Sequence, residues 1–77
     1  MLIENEQLRH AVGRFLRRKR KEKGFSARQL SMLIQGNEYF NSNIINIENG
    51  KVSTDINTLE KILLNLDTNL VDFFNNI

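Results

Sequence analysis

With 77 residues and no cysteine, the chain has room for one domain and one modest core, and disulfide scaffolds, thiolate zinc sites and thiol nucleophiles are excluded. No segment approaches the ~20 apolar residues that span a bilayer, and Met1–Glu6 lacks the basic start and apolar run of a secretion signal, so the expected location is cytoplasmic. The net charge of +2 conceals an asymmetry: residues 1–37 hold nine Lys/Arg and three Asp/Glu, residues 38–77 hold two and six, and eight of the eleven basic residues lie between Arg9 and Lys23.

In chain order, Leu8, Ala11, Val12, Phe15 and Leu16 recur at helical steps and place a first helix over about Leu8–Lys23. This helix carries the basic cluster, with Arg14, Arg17, Arg18, Lys21 and Lys23 on its outer face. Such a run draws a polyanion by counterion release or simply solvates the surface, and both readings stay open. Gly24 supplies a left-handed stop, with Phe25 placed to pack back. Ser26-Ala27-Arg28-Gln29 fits a capping box, so a second helix starts at Ser26 and runs through Leu30, Leu33 and Ile34 to about Gln35. Gly36-Asn37 is turn chemistry. A third helix takes Ile44, Ile45 and Ile47 as its apolar side and ends at Asn49-Gly50.

Ser53, Thr54 and Asp55 then offer caps for a fourth helix with the stripe Ile56, Leu59, Ile62, Leu63 and Leu66. Asn69 caps a short fifth helix whose apolar residues are Leu70, Phe73, Phe74 and Ile77. No stretch alternates convincingly as a strand, and no repeat or linker divides the chain. The predicted fold class is all-α, one compact bundle of about five helices.

Two charges fall on apolar faces. Arg20 continues the line of Val12 and Leu16, and Glu48 follows Ile44 by one helical turn. An unpartnered buried charge is costly, so the simplest reading pairs Arg20 with Glu48; the alternative is that both snorkel to solvent and never meet. Lys19 lies near the same face without an obvious partner.

From Val12-Gly13 through Phe74, roughly four fifths of the chain, the sequence resembles the Cro/repressor-type, XRE-like helix-turn-helix family. The likeness rests on Arg20-Lys21-Glu22-Lys23-Gly24-Phe25-Ser26, on Ile44 followed by Ile47-Glu48-Asn49-Gly50-Lys51, and on Thr58-Leu59, Lys61-Ile62, Leu66, Leu70 and Phe73-Phe74 in one register. It implies a lambda-repressor-like fold, an arginine–glutamate contact at Arg20 and Glu48, and a third helix, about residues 41–49, that reads the DNA major groove. By resemblance, Asn41, Ser42 and Asn46 take base-contact positions. Asn43 and Lys51 fall near the phosphate backbone, with Arg28 and the helix start at Ser26 and Ala27. The implied function is a sequence-specific transcriptional regulator, repressor or controller in type, on double-stranded DNA.

The chain departs from that family in three ways. The stretch before the third helix is about three residues longer than the usual tight turn, leaving Glu38, Tyr39 and Phe40 in a loop. Mid-helix Ser31 stands for the family's small residue. Phe40 falls where the family carries a capping Ser or Thr, which leaves Asn41 as an alternative cap. The reading surface has no Arg or Lys; because Asn bonds adenine in bidentate fashion, an A/T-rich half-site is expected, although the eleven asparagines are also a chain-wide bias.

One such helix reads too few base pairs for an address, so the resemblance implies a homodimer on a palindromic operator. Leu64 and Val71, off the main stripe, with Phe74 and Ile77, form the expected dimer face, or else plain core. Competing readings are a protein-interaction module of the same fold, an antirepressor or adaptor, and the N-terminal domain of a longer sensor-regulator. Enzymatic activity is not expected: His10 is the lone histidine, and no glycine-rich phosphate loop is present. No metal-ligand spacing occurs, and neither cofactor nor small-molecule ligand is indicated.

Overall fold

Asn5 opens the first helix ahead of the apolar period that suggested a start at Leu8. Its side chain accepts the Leu8 amide at 3.0 Å, and α1 spans Glu6–Glu22 in this computed structural model, which describes residues 1–76. The helix ends where Gly24, at φ 74°, lets the Gly24 and Phe25 amides donate to the carbonyls of Lys21 and Arg20, at 3.0 and 3.1 Å. A left-handed residue at this point satisfies carbonyls the helix leaves open. Ser26 then caps α2 (Ala27–Gln35) through the reciprocal box: the Gln29 amide donates to Ser26 Oγ at 3.1 Å and the Ser26 amide to Gln29 Oε1 at 2.8 Å.

After the loop 36–40 comes α3 (Asn41–Glu48), then α4 (Ile56–Leu64) capped by Asp55, and α5 (Leu70–Asn75) capped by Asn69. Leu66 lies beyond the end of α4, in the turn to α5, yet is buried. The all-α, five-helix reading therefore describes the fold, with one correction. No strand is expected from the sequence, but β1 (Leu2–Ile3) pairs antiparallel with β2 (Thr54–Asp55), Leu2 opposite Asp55 and Ile3 opposite Thr54. Two residues per strand are too few to display an alternation, and the pairing joins distant segments, so no local signal announces it. The pair delivers Ile3 to the core. The Met1 ammonium, 3.0 Å from Asp55, and then the Asn57 amide hold the Asp55 carboxyl below its ordinary range.

The core gathers Val12, Phe15 and Leu16 of α1, Leu30 of α2, Ile44 and Ile47 of α3, Leu59, Ile62 and Leu63 of α4, and Phe73 of α5. Phe15 and Phe73 meet edge to face at 5.3 Å, a geometry the ring quadrupoles favour. Two expected core residues are corrected. Ile45 is 43 % exposed and Leu33 about as open. In α3 the inward line is Ile44, Ile47 and Glu48, which turns Ile45 away; in α2 it is Ala27, Leu30, Ser31 and Ile34, which turns Leu33 away.

Candidate nucleic-acid interface

α3 packs on both α1 and α2, and its buried face dictates what it presents outward. Ser42, Ile45, Asn46 and Asn49 follow one another at three- and four-residue steps on the outer side; Ser42, Ile45 and Asn49 are exposed and Asn46 half-buried. Of the candidate reading residues, Ser42 and Asn46 thus share one stripe. Asn41, half-buried, is the first residue of the helix and not its cap, so the alternative that it caps α3 is corrected. The capping position belongs to Phe40, whose side chain makes no capping bond because it has no acceptor to give. Asn43 is exposed, and with Asn46 it lines an open cavity of about 320 Å³ that Val52 and Thr58 also border.

The C-terminal end of α3 is fixed to α1. Arg20 Nε donates to Glu48 Oε2 at 2.6 Å and Arg20 Nη2 to Glu48 Oε1 at 2.8 Å, while Nη1 reaches the Phe25 carbonyl at 2.9 Å. The fork geometry holds both carboxylate oxygens at once, and the hydrogen bond to Glu48 raises the Arg20 pKa above its ordinary value. Glu48 is buried, so the guanidinium is what allows a carboxylate to stay there. One step away, Gly13 lets the helices touch backbone to backbone: a Cβ on it would stand 2.3 Å from the Glu48 carbonyl oxygen and 2.6 Å from that of Ile47. Beyond the helix, Gly50 at φ 69° closes the end, with the Gly50 amide donating to Ile47 and the Lys51 amide to Asn46, each at 3.0 Å. The chain turn needs that left-handed residue, and the His10 ring needs the side chain to be absent, since a Cβ on Gly50 would stand 2.4 Å from His10 Nδ1; beyond the turn Lys51 is exposed beside α3.

The N-terminal end is held by Ser31. This fully buried hydroxyl donates to the Asn37 carbonyl at 2.7 Å and accepts the Phe40 amide at 3.0 Å, spanning the lengthened loop. Asn37 adds a second tie, its Oδ1 accepting the Tyr39 amide at 3.0 Å. Tyr39 itself is almost fully exposed.

Around the outer stripe lie the phosphate candidates. Arg28 and Lys51 are exposed, Ala27 is buried, and Ser26 is exposed with both its amide and its hydroxyl engaged in the capping box. Ser26 is therefore bound to a structural task, while the amides of Ala27 and Arg28 find no acceptor among the described residues. The basic cluster of α1 divides. Lys19, Arg20 and Lys23 face Glu22, Glu48 and Asp67, and Lys19 also lies over the Phe15 ring; Arg14, Arg17, Arg18 and Lys21 stay exposed. Leu64, Val71 and Phe74 are each more than half exposed, so they are not core; Ile77, the fourth expected member of that face, lies outside the described residues.

Three residues that shape this interface escaped the sequence analysis. Ser31 was read only as a small residue, Gly13 only as part of a landmark, and Ile45 as core. A glycine beside Val12 and one helical turn before Leu16, at the edge of the apolar stripe of α1, was the available signal for a backbone contact.

Residues 13–77 match the model of a family described as a helix-turn-helix domain. No curated protein and no solved structure matches the chain significantly.

Proposed function

The chain belongs to the helix-turn-helix domain family, of XRE type, and from that membership we propose that it is a cytoplasmic, sequence-specific DNA-binding transcriptional regulator, repressor or controller in type. The observation that carries the reading is the outward stripe of α3, the short polar side chains Ser42, Asn46 and Asn49 with Ile45 among them, on a helix clamped to α1 by Arg20 and Glu48. A helix whose orientation is fixed by buried contacts can present side chains at reproducible distances from base edges.

In this reading Asn41, Ser42 and Asn46 contact bases, and the asparagines favour adenine, so each half-site is A/T-rich. Ala27 and Arg28 at the start of α2, with Asn43 and Lys51, hold phosphates; Ser26 contributes through the helix start it caps. Two copies associate through Leu64, Val71 and Phe74 and bind a palindrome as a homodimer.

Selection of bound duplexes from a randomised pool, with anisotropy at two salt concentrations, tests the proposal. Arg28 and Lys51 from two protomers imply a slope of log affinity against log salt of about −3.6. Enrichment of an A/T-rich palindrome is expected. Binding that enriches nothing, or a G/C-rich palindrome, counts against it. A reading as a protein-interaction module draws on one observation, the absence of Lys and Arg from α3, and it is the outcome if selection fails.

A further inference from the structure

Ile45 sits in the wrong place for a core residue. Its neighbours Ile44 and Ile47 are 0 % and 5 % exposed, whereas Ile45 is 43 % exposed and stands in the outer stripe between Ser42 and Asn46. It belongs to neither the buried core nor the partly buried residues packed on it. α3 gains nothing in helix propensity from it either, because a β-branched side chain is a mediocre helix former.

The only apolar group displayed on base edges in the major groove is the C5-methyl of thymine. A single branched hydrocarbon among short amides matches a single methyl among hydrogen-bonding groups. Resting on the reading of α3 as the major-groove helix, we infer that Ile45 is a specificity-determining residue that packs against one thymine methyl in each half-site. Asn46 follows it directly on the helix, so the methyl belongs to the base pair that Asn46 reads or to its neighbour. An A·T pair offers both features at once, adenine N6 and N7 on one base and the methyl on the other. A cytosine at that position carries only hydrogen at C5, where thymine has the methyl, and an amine at C4, where thymine has O4, so the isoleucine loses its apolar contact and lies beside a donor it cannot satisfy.

The test starts from the duplex that selection returns. Each thymine is replaced in turn by deoxyuridine, which removes the methyl and nothing else, and affinity is measured for the full chain and for Ile45→Ala. One thymine per half-site is expected at which deoxyuridine weakens the unmodified chain about fourfold, the factor for one buried methyl-sized group. Deoxyuridine there leaves the Ile45→Ala variant unchanged. Ile45→Val, which keeps the branch and trims one carbon, should retain most of the discrimination. The helix content of each variant, followed by circular dichroism, is expected to match the original because the side chain is largely outside the core. Deoxyuridine without effect at every thymine, or an equal effect on the chain and on Ile45→Ala, overturns the inference while leaving the DNA reading intact. If no duplex is selected, the DNA reading fails first and this inference falls with it.

Discussion

At its C-terminal end α3 is held from three directions, by the Arg20–Glu48 fork, by the backbone contact at Gly13 and by the left-handed turn at Gly50; its N-terminal end rests on the Ser31 hydroxyl, the Asn37 side chain and the partly buried Phe40 at the end of a lengthened loop. The first set of contacts is buried and charge-assisted. The second is neutral, lacks a side-chain cap at Phe40 and borders an exposed Tyr39. The difference suggests a division of labour within one short helix. The rigid end fixes how α3 lies on α1, and in the proposed DNA reading the softer end, which carries Asn41 and Ser42, is the one that adjusts against bases. Substitutions at the rigid end should therefore be felt by the whole fold, and those at the soft end chiefly by the loop and by DNA.

The largest effect is expected at Glu48. Glu48→Ala strands the Arg20 guanidinium, whose side chain is only 12 % exposed, and breaking such a pair by removing one partner costs about 3–5 kcal/mol. Urea unfolding should show that loss, and a change below about 1 kcal/mol would mean that the fork does not anchor the helix. Arg20→Lys keeps the charge but cannot fork across both oxygens and reach Phe25 as well, so it should recover only part of the stability. Next comes Gly13→Ala. The new methyl would overlap backbone oxygens, which cannot swing aside as a side chain can, so the helices must separate at a cost of about 1–3 kcal/mol. An unchanged unfolding midpoint would show that α1 and α3 have slack there.

The rigid end was also the more legible in the sequence. Arg20 and Glu48 stood on inward faces at helical spacing, and a charge on an apolar face asks for a partner. The helices themselves followed from local chemistry: the box at Ser26, the stops at Gly24 and Gly50, and the period of Ile56 to Leu63. What stayed hidden depended on contacts between distant segments. β1 and β2 become strands only by meeting each other. Gly13 matters only because α3 crosses it. Ile45 looked like core since a helix of eight residues shows barely two turns of pattern, and the buried Glu48 occupied the inward position that apolarity would have marked. The loop 36–40 was legible as an insertion, but its anchor, a serine inside α2, carried no signal of where its hydroxyl would go.

At the soft end the expected effects shrink and become local. Ser31→Ala removes the acceptor for the Phe40 amide and the donor to the Asn37 carbonyl, and groups left unsatisfied in a partly buried site cost about 1–2 kcal/mol. Hydrogen exchange should speed at the Phe40 amide while amides of α1 and α4 keep most of their protection. Equal loss everywhere would place the loop inside the cooperative core and erase the contrast between the ends.

The smallest effect is expected at Asn37. Its side-chain oxygen accepts the Tyr39 amide and the Gln35 amide group, both exposed, so water can replace either bond. Asn37→Ala should therefore lower global stability by no more than about 0.5–1 kcal/mol. The loop has fewer internal ties after that change, and in the proposed DNA reading α3 would reach its bound arrangement from a broader set of starting positions. If the N-terminal end of α3 adjusts on binding, Asn37→Ala weakens affinity for the selected duplex by more than the stability change implies, because ordering entropy is added to the binding step. If affinity is unaltered while Phe40 exchange quickens, the loop moves without α3, and the Ser31 tie alone positions Asn41 and Ser42.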